Sequence, residues 1–392
     1  MKQFFASLSP KNRYIAGNLF FLYLVQGICT LLIGSVLPMM KAEYGLNYGI
    51  GGMLISAHSI GNIIISPFAG LFPLYFGQKN SLMVLNLFLG VGLAITLLTG
   101  NPYILLIALL MTGLGRGAVS TYNNSIINQL SGGQAAPLNA LHGFFAIGAV
   151  SAPVIALAAT SKNDHGWKIA VAIAVFFCAL TVISSAKMQM DNTRVGHGEK
   201  QPLAFGFFRH KLFWISAAIM LFYLAVESSV MGWMVTFYTD SGVVGSDSAQ
   251  LLNSLLWVTI LIGRFACVSL SSKMHTSRLI LILSSGMFIF FTGLMMSHSL
   301  IPMIIMTIGL GLCMSGMYGT TAGNCGNILK DYPLGMSLFI AITGIGSIVT
   351  PSIVGSIADV SSIRTGMAVL IFALICLLIS ALLNIRYFRK TK

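Results

Sequence analysis

Residues 166–188 read GWKIAVAIAVFFCALTVISSAKM, and the stretch between Lys168 and Lys187 carries no charge. That is close to the length a helix needs to cross the ~30 Å apolar core of a bilayer. Lipid offers backbone amides no partner outside a helix, so the stretch reads as a helical membrane span with a lysine at each end. Working outward, runs of the same kind recur before it at about 14–40, 48–73, 80–100, 102–128 and 135–160. After it they recur at about 212–240, 248–272, 277–297, 300–328, 334–357 and 364–387. The expectation is an all-α membrane protein of twelve transmembrane helices.

Composition agrees. Of 392 residues, 56% are hydrophobic and only 8% charged, against roughly a quarter charged in a soluble domain. Too little polar surface is available for a soluble enzyme, a disordered scaffold or a collagen-like fibre. The first apolar run, after Arg13, has no cleavage pattern of small residues and is expected as the first span rather than a signal peptide. Six cysteines, Cys29, Cys178, Cys267, Cys313, Cys325 and Cys376, all fall within apolar runs and form no C-x-x-C pair. Neither a disulfide framework nor a zinc site is indicated, and buried inert thiols are expected.

The excess of 22 Lys and Arg over 9 Asp and Glu resembles a nucleic-acid signal until the charges are placed. They lie in the breaks between spans, where basic residues orient a membrane protein. With the N-terminus in the cytoplasm, inside positions outnumber outside ones fourfold. The outside set is only Lys41, Lys162, Lys168 and Arg364, and Arg116 and Arg264 lie within spans. Both termini are therefore expected in the cytoplasm. No nucleic-acid partner is expected.

The one sizeable polar stretch, 189–211, divides the chain into six-span halves at 1–188 and 212–392. The halves repeat. Gly113-Leu114 corresponds to Gly311-Leu312, and GAVSAP at 148–153 to GSIVTP at 346–351, both at an offset of 198 residues. Duplicated halves around a linker are a transporter architecture, with the solute site near mid-membrane.

From these features the chain resembles the major facilitator superfamily. GLFPLYFGQK at 70–79 is a worn copy of its loop signature, keeping Gly70, Gly77 and Lys79 but holding Leu74 where an acid is expected. PSIVGSIAD at 351–359 matches a frequent pattern of the last spans. LNALHGFFAIGAVSAP (138–153), YLAVESSVMGWMVTFY (223–238) and WVTILIGRF (257–265) are similar to the fucose:proton symporter family, nearest its glucose/mannose-type sugar carriers. The resemblance implies the major facilitator fold and uptake of a small polar solute, often a monosaccharide, by ion-coupled alternating access. The acidic residues of the fucose carriers' first and fourth spans are replaced by Gly34 and Ser120. Their proton-coupling scheme does not carry over.

Glu227 is the one acidic residue near mid-span, where an ionised carboxylate must be paired or face water, and it is the expected proton-coupling group. Arg116 and Arg264 are the permanent charges within spans, candidates for a charge partner or an anion site. Arg116 begins a stripe with Ser120, Asn123 and Asn124, while Asn253, Trp257 and Arg264 share a face of the eighth span. Asn139 and His142 share a face of the fifth span. Gln26, with Tyr23 and Thr30, and Asn324, with Thr320 and Asn327, form further polar stripes. Amides both donate and accept and so suit hydroxyl-rich solutes, though they serve helix contacts equally well. Trp233 and Trp257 offer faces on which a sugar ring stacks, or are core aromatics.

No G-x-x-x-x-G-K-[ST] is present to drive pumping with a nucleotide. No His-rich metal cluster and no enzyme constellation appear. The reading is a secondary transporter of the inner or plasma membrane, a lipid-embedded monomer with no cofactor, coupled to H⁺ rather than Na⁺. The alternatives are an anionic solute, export of drugs or lipids, and a non-transporting sensor on a transporter fold.

Overall fold

The computed structural model describes residues 2–69, 72–132, 135–160, 165–190, 206–271, 273–329 and 335–390. Linker residues 191–205 and the side chain of Asn139 lie outside the described set. Twelve helices are long and apolar enough to cross a membrane, and no strand occurs among the described residues. They are α1 (Pro10–Tyr44), α2 (Tyr48–Ala69), α3 (Gln78–Thr96), α4 (Pro102–Leu130), α5 (Ala135–Thr160) and α6 (Gly166–Ala186). Then follow α7 (Lys211–Asp240), α8 (Ser246–Ser271), α9 (Thr276–Met295), α10 (Leu300–Met314, resuming as Met317–Leu329), α11 (Gly335–Val360) and α12 (Ile363–Ala368 with Leu370–Lys390).

Local sequence sets the ends. The Ser9 side chain accepts from Asn12 N and Pro10 stands in the first turn, so α1 starts earlier than the apolar run. It closes at Gly45, whose φ of 62° lets its N–H return to Lys41 O. Asn101 caps α4 in the same way, accepting from Tyr103 N at 3.0 Å, with Pro102 behind it. Such caps satisfy amides that a helix end leaves without partners.

The chain forms two compact units, Met1–Leu46 with Ala57–Lys200, and Asn47–Ser56 with Gln201–Lys392. Inside the first, α1 and α5 cross at backbone contact: a Cβ on Gly148 would stand 2.0 Å from Leu24 O. There α2 and α4 cross likewise, with a Cβ on Gly113 placed 2.0 Å from His58 O. The second unit repeats both crossings. Gly346 brings α11 onto α7, where a Cβ would meet Leu221 O at 2.2 Å, and Gly311 brings α10 onto α8, where it would meet Leu256 O at 2.7 Å. The residues that repeat in sequence are thus those that let helices touch. In lipid such contact is a main source of helix association.

Helix α2 is divided between the units, with Tyr48 to Ser56 grouped with the second. There the Asp359 carboxylate accepts from Tyr48 N at 2.6 Å and Gly49 N at 2.7 Å, capping the start of α2. The Tyr48 hydroxyl donates to Asp240 at 2.6 Å. A carboxylate at a helix N-terminus is favoured by the open amides and the helix dipole. All six cysteines are free thiols. Cys29 and Cys178, distant in sequence, meet inside the first unit with sulfurs 3.4 Å apart.

Helix α10 breaks at Ser315 and Gly316. A Cβ on Gly316 would stand 2.4 Å from Cys267 Sγ, and one on Gly263 would stand 2.4 Å from Ser315 Oγ. The small residues bring α8 against α10 at the interruption, and the Ser315 hydroxyl donates back to Leu312 O at 2.7 Å. A Ser-Gly pair is a recognised cause of such breaks.

Candidate functional site

The first unit carries a polar wall assembled from α1, α2, α4 and α5. The Tyr23 hydroxyl, on α1, lies 2.9 Å from Ser120 Oγ and accepts from Asn124 Nδ2 at 3.0 Å. Asn124 Nδ2 also reaches Ser120 O at 2.9 Å, which holds the amide against its own helix. The His142 ring, from α5, stands edge-on to Tyr23 with centroids 5.4 Å apart. Tyr23 is buried, Ser120 and Asn124 are half-buried and His142 is exposed. The wall thus runs from packed interior to an accessible rim.

One turn below Ser120, Arg116 joins this wall. Its carbonyl accepts from Gln26 Nε2 at 2.8 Å, and its guanidinium approaches His58 Nε2 at 3.4 Å. The neighbours of His58 decide its tautomer. The Thr112 hydroxyl spends its one proton on Leu109 O at 2.6 Å, so it accepts from His58 Nδ1 at 2.8 Å. With the proton on Nδ1, Nε2 is an acceptor facing a permanent cation. The imidazole is therefore held neutral and orients Arg116, a task that sequence alone did not assign to it.

In the second unit, half-buried Glu227 sits one turn after Tyr223 on α7. The Tyr223 hydroxyl lies 2.7 Å from Glu227 Oε1 and 3.1 Å from the carbonyl of Met314, the last residue before the break in α10. Arg264 is half-buried on α8 and Tyr318 is exposed on α10. A phenol has one proton, so it serves one of these two acceptors at a time. An ionised Glu227 takes that bond. A protonated Glu227, which also makes interactions beyond Tyr223, is the weaker acceptor and leaves the phenolic proton freer for Met314 O. Tyr223 was absent from the sequence candidates; its spacing of four residues from Glu227 was the available signal.

The remaining candidates divide. Asn123 is fully buried and its amide nitrogen donates to Leu19 O at 3.1 Å, turned into the packing of α1 on α4. Trp233 is fully buried and donates to Pro351 O at 3.1 Å, which fixes α7 on α11. Asn324 Nδ2 donates to Ser216 Oγ at 2.9 Å and Asn384 Oδ1 at 3.0 Å, joining α10 to α7 and α12. These three are placed as interhelical ties. Asn253 and Trp257 are 1% and 2% exposed, one turn apart on α8. Among the described residues, no group of three or more His, Cys, Asp or Glu could hold a metal.

The family profile described as Major Facilitator Superfamily matches residues 19–329. An uncharacterized MFS-type transporter of Yersinia pestis is 22% identical over 371 residues, covering 92% of this chain and 93% of its own. Among solved structures, the nucleoside transporter NupG superposes with a TM-score of 0.79 at 12% identity, over 94% of this chain and 99% of its own. The E. coli fucose:proton symporter FucP superposes with a TM-score of 0.63 at 18% identity, over 95% and 99%. At these identities the structural likeness speaks for the fold alone.

Proposed function

The chain belongs to the Major Facilitator Superfamily; as such it is a multi-pass transporter and not an enzyme, and we propose that it takes up a small polar solute, a monosaccharide above all, together with protons. The observation that carries the coupling is the Glu227–Tyr223–Met314 arrangement. A carboxylate inside a span is tolerated when protonated and needs water, a cation or donors when ionised. Here its two states send the Tyr223 proton to different acceptors, one of them at a break in a spanning helix. Loading and releasing a proton at Glu227 thereby changes what holds α10, which is what coupling to a gradient requires.

For the solute, the hydroxyls and amides of Tyr23, Ser120 and Asn124 support a hydroxyl-rich molecule, since each both donates and accepts. The similarity of helix α7 to the fucose:proton symporters supports the sugar-carrier branch. The basic residues support a plasma or inner membrane location with both termini cytoplasmic. A second reading, an anionic solute such as a sugar acid, is favoured by Arg116, a permanent cation whose guanidinium is held beside His58 and whose main-chain carbonyl accepts from Gln26.

The test is Glu227→Gln in proteoliposomes with an imposed pH gradient. Glutamine keeps the shape but does not titrate. The expected outcome is retained counterflow exchange and lost uphill accumulation. Accumulation at the wild-type level would remove Glu227 from coupling and turn attention to Na⁺ or to His142.

A further inference from the structure

Gln250, Asn253, Ser254 and Trp257 fall at i, i+3, i+4 and i+7, a single stripe along α8. All four are buried, in a span whose other residues are largely apolar. Buried polar atoms in folded proteins are nearly always bonded, and each exception asks for a reason. Gln250 and Ser254 make other interactions. Asn253 Nδ2, Asn253 Oδ1 and Trp257 Nε1, by contrast, have no hydrogen-bond partner among the described residues. The nearby Thr259 hydroxyl is already committed to Leu256 O at 2.8 Å. Two adjacent turns therefore present an amide donor, an amide acceptor and an indole donor together.

The geometry points to Asn253 and Trp257 as a recognition site for the hydroxyl groups of an uncharged solute, selecting against anions. This rests on the solute-transport reading above and sharpens its substrate class. A hydroxyl donates and accepts, so a pair of neighbouring hydroxyls takes the indole and amide protons and returns one to Asn253 Oδ1. A carboxylate or phosphate only accepts. It would satisfy Nδ2 and Nε1 but set its own lone pairs against Oδ1, leaving that oxygen without a donor. An apolar drug satisfies none of the three. Of the solute classes that the sequence left open, the neutral polyol fits Asn253 and Trp257; half-buried Arg264, two turns on along the same face, is the charge that this discrimination against anions has to outweigh.

The pair also makes a prediction that needs no solute. A polar group kept for a ligand is a burden on the ligand-free fold, and an apolar side chain of similar shape relieves it. In the purified full-length protein, Asn253→Leu is expected to hold or raise the ligand-free melting temperature, whereas Trp257→Phe removes the N–H together with the five-membered ring of a buried indole and is read by ligand binding alone. A fall of several degrees for Asn253→Leu would make Asn253 a structural amide and overturn the assignment while leaving proton-coupled transport intact. The binding arm uses D-glucose, D-mannose and D-glucuronate as probes. The expected result is stabilisation by a neutral hexose over glucuronate, with affinity lowered about tenfold or more in both variants. Wild-type affinity in both variants, tighter binding of glucuronate, or no binding of either hexose would each overturn it. The transport reading itself stands or falls separately, on the Glu227→Gln measurement.

Discussion

His58 Nε2 faces Arg116 Nη1 at 3.4 Å, an imidazole acting as acceptor toward a guanidinium inside the first unit. The relationship depends on Thr112, which receives the Nδ1 proton from the other side of the ring. His58→Phe removes both bonds at a buried position. We expect it to destabilise the protein by about 1–3 kcal/mol and to lower solute affinity through loss of Arg116 positioning. Thermal unfolding and a binding isotherm on the same preparation check the two effects.

Tyr223→Phe separates the hydroxyl from the ring. If the phenolic proton communicates the state of Glu227 to the break in α10, the variant folds, exchanges solute at near wild-type affinity and loses most of its pH-gradient-driven accumulation. Equal loss of exchange and accumulation would instead mark Tyr223 as a packing residue. Side-by-side counterflow and uphill uptake assays distinguish these.

The glycine crossings should be intolerant of a side chain. Gly148→Leu and Gly346→Leu each force a Cβ within 2.0–2.2 Å of a main-chain oxygen, which has nowhere to go. Neither variant is expected to accumulate as folded protein. Gly143→Ala, on the same helix as Gly148 but with nothing within 4 Å, is expected to gain about 0.5–1 kcal/mol from helix propensity. Size-exclusion profiles and melting curves of the three variants settle the matter.

Topology is open to a direct check. A cysteine placed in the 189–211 linker should escape an impermeant thiol reagent applied to intact cells and react once the membrane is opened. Modification from outside would reverse the orientation drawn from the basic residues.

The spans were legible because lipid imposes one simple rule, apolar length; their bounds differ by up to four residues, and at α1 the caps Ser9 and Gly45 carry the helix beyond the apolar run. The repeat was legible too, because Gly113, Gly148, Gly311 and Gly346 hold helix crossings that admit no substitute. The site was harder to read. An amide stripe on an apolar helix looks the same whether it binds solute or a neighbouring helix. Only the fold shows Asn324 spent on Ser216 and Asn384 while Asn124 lines a wall. Tyr223 escaped for a related reason, and His58 gave only a weak polar signal in the second span, since their importance lies in which atoms flank them across helices far apart in sequence.

The interruption of α10 has a consequence for observation. Amides within a continuous spanning helix exchange their hydrogens slowly, whereas those following a break are released by small local openings. The segment after Gly316 should therefore be a fast-exchanging island in a slow span. If the proton state of Glu227 governs how far Tyr223 serves Met314 O, deuterium uptake there should follow that carboxyl's titration, readable with no substrate in hand.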